Sequence, residues 1–316
     1  MALASNVAVT ITKLIAGVIT GSSALLSEGA HSVADTLNEL FLVASVRRSE
    51  RPADEQHPFG YGAERFFWSL IAAVGIFVAG GGFSFFQAYA AFRGPAHTGH
   101  WILTYAVLGA AGLFEGASFI RATYQIRREA TAAHRGPVSH VLKSTDPAMK
   151  TVASEDGIAL VGLLLAGLGV ALHQVTGAEL WEGIASALIG VLLVCAAIFL
   201  ARDNMSLLIG RSVESDLRQA IGETVRGHPK VENVVELLTR YLGADEVLVA
   251  ARVELVDGLT SDGIEEMSSE IDAQLRDLSA QVTQVFIDAT TSAERRRLEE
   301  AGRIGAAGEN VGLDPS

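Results

Sequence analysis

Six stretches of the chain are apolar over a length sufficient for a membrane-crossing helix, and short polar loops separate them: 2–19, 24–45, 66–91, 101–124, 151–175 and 181–201. A bilayer core about 30 Å thick takes roughly 20 helical residues at about 1.5 Å rise each. The second stretch is the least hydrophobic. Beyond residue 211 the pattern changes: 215–228 has helical periodicity, 231–243 and 246–255 alternate as strands, 268–281 reads as a second helix and 282–289 as a third strand. The expected architecture is therefore a membrane all-α six-helix transmembrane bundle over residues 1–206. A small C-terminal α+β domain of αββαβ order, ferredoxin-like, follows over 207–290. A polar, Gly-containing tail over 291–316 reads as disordered.

Composition agrees with two unlike parts. Hydrophobic residues make up 49% of the 316 residues, yet 19% are charged, and the charges are sparse before Arg202 and dense after it. The net charge of −12 makes nucleic acid a poor partner. The single cysteine, Cys195, excludes a disulfide framework and is expected in the core. No cleavable leader is read at the N-terminus. Arg47, Arg48, Arg51 and Arg65 flank the second loop, and Arg127, Arg128, Arg135, Lys143 and Lys150 lie between the fourth and fifth stretches, whereas the opposite side shows only Arg93. The positive-inside rule then places both termini in the cytoplasm, consistent with a bacterial inner membrane. Trp68, Trp101 and Trp181 fit an aromatic belt. Gly80, Gly81, Gly82, Gly112, Gly162, Gly167 and Gly169 would let helices approach closely.

The polar residues inside the apolar stretches carry the chemistry. Glu28, His31, Asp35 and Asn38 follow a 3–4–3 spacing that puts them on one face of the second helix. His31 and Asp35, at i and i+4, are close enough to chelate one ion. An ionisable group at mid-bilayer depth costs about 2.5–3.5 kcal/mol, so a whole stripe needs a reason. Spacing alone leaves two: a cation site, or a polar seam between helices. Glu155 and Asp156 open the fifth stretch, either as an acidic helix N-terminus favoured by the dipole or as further ligands. In the second case Asp156 faces the cavity, with Glu155 as second ligand or proton acceptor. Asn38 would hold a ligand carboxylate, and Glu28 would line the exit path. Lys13 is expected to snorkel, Glu115 to pair with Arg121 or face water, and Glu182 to cap its helix. There is no G-x-x-x-x-G-K-[ST] run to bind ATP and no H-E-x-x-H.

These motifs resemble the cation diffusion facilitator family of divalent-metal transporters. GSSALLSEGAHSVADTLNEL is similar to that family's second-helix signature, DEQHPFGYGAERF to its second loop, RDNMSLLIGRSV to the junction after its sixth helix, and HPKVENVVELLTRYLGADEVLVAARVEL to the start of its cytoplasmic domain. The resemblance implies His31, Asp35 and Asp156 as metal ligands, with Glu155 joining them. Val152 stands where zinc exporters of the family commonly place a histidine, and a fifth helix reading Glu-Asp resembles the mitochondrial-type zinc transporters. It implies efflux by H⁺/M²⁺ antiport, zinc foremost, with manganese, iron or cobalt as alternatives. A homodimer through the cytoplasmic domain, no cofactor and no enzymatic activity are also implied. Asp54 and His57 fit a peripheral site weakened by Tyr61, while Ile287 and Val235 replace ligands of the C-terminal domain and leave His228 as a turn residue. A nontransporting membrane scaffold and an intramembrane metallohydrolase are the alternatives of another class.

Overall fold

The structure is a computed structural model, and it describes residues 2–93, 100–132, 136–143 and 147–291; the side chains of 2–5, 140 and 142–154 lie outside that description. The expected tail falls outside it too, from residue 292 onward, as do the side chains of Lys143, Lys150 and Val152. The chain forms two compact units, 1–51 with 64–205 and 52–63 with 206–316.

The first unit is helical. Helix α1 (Ala2–Thr20) ends at Gly21, whose φ of 68° and N–H bond to the Gly17 carbonyl make a left-handed stop. Ser22 then caps α2 (Ser23–Ser49) by accepting from the Leu25 amide, so the two helices form a tight hairpin. Their seam is narrow because Gly17 faces Leu26 and Gly29 faces Leu14; a Cβ at either glycine would press to 2.8 Å from the opposing leucine. The third rod is interrupted: α3 (Glu64–Gly75) passes through a π-helical stretch, Ile76–Gly82, into α4 (Phe83–Arg93). Three successive glycines, Gly80 to Gly82, remove the side chains that would resist the wider turn. Helix α5 (Trp101–Ala132), a short α6 (Pro137–Lys143) that the pattern did not predict, α7 (Pro147–Thr176) and α8 (Leu180–Ile209) complete the unit.

Among the described residues four helical spans are long and apolar enough to cross a membrane: Glu64–Arg93, Trp101–Ala132, Glu155–Thr176 and Leu180–Ile209. The apolar part of α1, Asn6–Thr20, is shorter, and α2 is long but too polar to be among the four. That polar helix is the hub, packing on α1, α3, α4, the π-helical stretch and α7. Ile11, Val18, Phe86, Ile102, Leu113 and Val191 face outward, and Cys195 is exposed beside them rather than in the core. Close helix approach holds at Gly80 and Gly81 against α8 and at Gly169 against Ala185, but Gly112 and Gly167 have nothing within 4 Å.

The second unit is built from α9 (Ser215–Arg226), β1 (Val231–Gly243), β2 (Glu246–Leu255), α10 (Ser261–Leu278) and β3 (Val282–Thr290). β1 and β2 form an antiparallel hairpin, and α10 crosses over to bring β3 parallel to β2, giving the order β1-β2-β3. Val247, Val249, Ala251 and Val253 alternate inward along β2, under Ile221 and Val225 of α9 and Met267, Ile271 and Leu275 of α10. α10 starts at Ser261, seven residues before its expected start. Thr260 caps it through the Gly263 amide, and the polar first turns had hidden its period. On the other face Arg252 binds Glu236 on β1 at 3.3 Å and Asp288 on β3 at 2.7 Å, its register partners on each side.

Candidate metal and proton site

Position 31 of α2 is almost fully enclosed, with the His31 side chain 2% exposed and that of Asp35, one turn on, 21%. Their Nδ1 and Oδ1 atoms lie 3.3 Å apart. The angles do not meet hydrogen-bond geometry, and both His31 ring nitrogens and Asp35 Oδ1 are buried without a hydrogen-bond partner among the described residues. Three unsatisfied donor atoms on one helical turn are costly unless something occupies them for part of the protein's working life. The hub position of α2 explains the burial, because the stripe faces helices rather than lipid.

The carboxylates of α7 reach toward the same stripe from its third turn, so they are not an acidic helix N-terminus. Glu155 Oε1 accepts from Asn38 Nδ2 at 2.5 Å, and Asp156 Oδ2 accepts from Ser118 of α5 at 3.2 Å. Asp35 lies within electrostatic range of Asp156, and Glu155 of both Asp35 and Asp156. The predicted donors are thus neighbours arranged as separate pairs: His31 with Asp35, Glu155 with Asn38, Asp156 with Ser118. No group of three His, Cys, Asp or Glu side chains among the described residues stands in metal-binding geometry in this conformation.

The remaining polar residues depart from expectation. Lys13 does not snorkel: it is 0% exposed, with Nζ 2.6 Å from Glu115 Oε1, 3.3 Å from Glu28 Oε2 and donating to Ser32 Oγ at 3.0 Å. Glu115 accordingly pairs across to α1 rather than with Arg121, and Glu28 is sealed in the bundle by that lysine. The narrow α1–α2 seam made by Gly17 and Gly29 brings Lys13 this near. Glu182 does more than cap α8: it accepts from Ser22 Oγ at 2.5 Å and meets His173 Nδ1 at 2.7 Å, while the Trp101 ring stands perpendicular to that imidazole. Lone polar residues in apolar runs were the available signal for both clusters; Glu115 lies 102 residues from Lys13 and Glu182 lies 160 from Ser22.

In the second unit, Asp54 Oδ1 accepts from the Gln56 and His57 amides at 3.0 and 2.8 Å, and Oδ2 accepts from the Tyr61 hydroxyl at 2.6 Å. Those bonds, the tyrosine's first, hold its carboxyl down at about 2. Both oxygens thereby serve the loop, and the His57 ring lies against Tyr61. His228 is buried, with Nε2 at 2.8 Å from Glu270 and Nδ1 accepting from the Lys230 amide.

A family model described as the cation efflux transmembrane domain matches residues 1–209. The chain belongs to the cation diffusion facilitator family. It is an integral membrane protein, and members of this family are transporters rather than enzymes. Among its relatives, the proton-coupled zinc antiporter SLC30A9, mitochondrial, of Xenopus laevis is 33% identical over 242 residues, covering 77% of this chain and 43% of that protein. Metal tolerance protein C4 of Arabidopsis thaliana is 30% identical over 233 residues, 74% of this chain and 51% of its own. The manganese efflux system protein MneP of Bacillus subtilis is 24% identical over 294 residues, 91% of this chain and 93% of its own. The chain thus spans less than half the length of the antiporter and about half that of the plant protein.

Proposed function

We propose that this cation diffusion facilitator carries a divalent metal cation, zinc foremost, out of the cytoplasm in exchange for protons, with His31, Asp35, Asp156 and Glu155 holding the ion. The observation that carries the reading is the His31–Asp35 pair, buried with three donor atoms unsatisfied. An imidazole nitrogen and carboxylate oxygens are ligands that Zn²⁺ accepts at about 2.0–2.2 Å. Ligation requires those groups to be deprotonated, so the ion and protons exclude one another at the same atoms. Antiport follows if the bundle exposes the donors alternately to each side. Closure on the ion would draw Glu155 away from Asn38 and Asp156 away from Ser118, and both partners remain to steady the carboxylates.

In this reading α1 and α2 complete a six-helix bundle with both termini on the side of the arginine-rich loops. Residues 207–290 act as a ferredoxin-like homodimerisation domain, and Asp54 and His57 hold their loop. The relatives named for zinc antiport support the metal; the one named for manganese efflux supports a second reading, because one imidazole among oxygens also suits Mn²⁺, Fe²⁺ and Co²⁺. Flux into vesicles carrying the full chain, under an imposed pH gradient and across Zn²⁺, Mn²⁺, Fe²⁺ and Co²⁺, tests both readings. Gradient-dependent Zn²⁺ flux with the highest rate supports the first. Mn²⁺ preference selects the second, and gradient-independent flux removes antiport. Val152→His is expected to raise zinc preference over manganese.

A further inference from the structure

The Lys13 cluster presents charges that do not balance. One ammonium faces two carboxylates in a space where Lys13 and Glu28 are fully buried and Glu115 is 17% exposed, a formal sum of −1. Each carboxylate gives one oxygen to Lys13. The others, Glu28 Oε1 and Glu115 Oε2, are buried without a hydrogen-bond partner among the described residues. Glu28 Oε1 points at α7, where Gly162 leaves room for it; a Cβ at 162 would collide with that oxygen. A net negative charge in such a place is unfavourable unless a cation or proton joins it.

We propose that the Glu28–Glu115 pair carries one of the protons exchanged for the metal, at a place separate from the His31–Asp35 donors and three residues from His31 on α2. One proton joins Glu28 or Glu115 and takes the cluster from −1 to neutral; its departure restores the charge, and no bond other than O–H is made or broken. Lys13 fixes the count at one, since without it two protons would be needed. The charged groups near the pair are Lys13 on α1, Asp35 on α2 and, within range of Glu115, Asp156 on α7; His31 lies within range of Lys13. A divalent ion arriving at His31 and Asp35 adds positive charge within electrostatic range of Lys13 and Glu115, which favours expelling the proton. The cluster is thereby placed to couple occupancy of the two sites.

This inference rests on the antiport reading, and the experiment separates them. Full-length wild type, Glu28→Gln and Glu115→Gln are reconstituted in vesicles with a trapped pH dye, and protons moved per Zn²⁺ are counted. Each glutamine variant leaves Lys13 with one carboxylate, a neutral pair, so both should fold and both should lose about one proton per ion relative to wild type. Zn²⁺ binding to the detergent-solubilised variants should stay within threefold of wild type. In infrared difference spectra of the metal-free chain, wild type should show one carbonyl band of a protonated buried carboxylic acid that is missing from both variants, while any bands of the metal-ligand carboxyls persist in all three. A coupled wild type with an unchanged proton count and an unchanged band in either variant overturns the proton site. An uncoupled wild type overturns antiport, and the infrared band then decides the proton site alone.

Discussion

Lys13→Met is the sharpest structural perturbation, because it removes the only ammonium seen between Glu28 and Glu115 among the described residues while keeping the apolar stem. Three contacts disappear together: the ion pairs at 2.6 and 3.3 Å and the bond to Ser32 at 3.0 Å. Two carboxylates, one of them wholly enclosed, then face each other without a counter-charge. Removing one partner of a buried ion pair costs about 3–5 kcal/mol. At 1.4 kcal/mol per tenfold, that lowers the folded-to-unfolded ratio by roughly two to three and a half orders of magnitude. Neutralising all three in Lys13→Met/Glu28→Gln/Glu115→Gln should recover most of the loss, since replacing a whole buried charge group by neutral residues is often tolerated. Reversible unfolding of the full chain in mixed detergent at pH 8 measures both. A single variant within about 1 kcal/mol of wild type, or a triple variant no better than the single, would mean that the lysine is not the counter-ion of these carboxylates.

Other expectations bear on separate parts of the molecule. Glu182→Ala strands His173 and Ser22 in the bundle and should cost about 1–3 kcal/mol in the same assay, with Glu182→Gln costing less; equal costs would remove the hydrogen-bond argument. Ile271→Ala empties a position that is 0% exposed under the sheet, and about 2–5 kcal/mol should be lost, read as earlier melting of the C-terminal unit. The loop at Asp54 has a pH signature. Its carboxyl is held at about 2 against an ordinary 3.8, so its contribution to loop order is complete above about 4 and lost as pH falls through 2. The amide shifts of Gln56 and His57 should titrate with that low midpoint, and Tyr61→Phe should raise it; a midpoint near 3.8 in wild type would show the turn unformed.

How far the sequence could be read depended on whether a feature was local. The helix–strand–strand–helix–strand order of the C-terminal unit was legible from period and turn residues, because alternation along β2 and i, i+4 spacing on α10 are local patterns. The start of α10 was not, since Ser261 to Glu266 carry no apolar period. The stripe of Glu28, His31, Asp35 and Asn38 was legible for the same reason, and its burial follows from α2 packing on α1, α3, α4, the π-helical stretch and α7. The contacts of Lys13, Glu115 and Glu182 were invisible: their partners lie 15, 102 and 160 residues away, where no spacing rule reaches. The π-helical turn at Ile76–Gly82 left a trace in its glycine triplet, but three glycines alone do not distinguish a wide turn from a tight packing seam, and here they serve both.

The central claim is that an imidazole from α2 and carboxylates from α2 and α7 share one divalent ion. X-ray absorption at the zinc edge, on the full chain loaded with one equivalent, addresses it directly. One imidazole shell with the remaining ligands oxygen at about 2.0–2.2 Å is expected, the imidazole contribution vanishing in His31→Ala and the oxygen count falling in Asp35→Ala and Asp156→Ala. Two or more imidazoles, or a spectrum unchanged by His31→Ala and Asp35→Ala, would place the ion elsewhere and contradict the account.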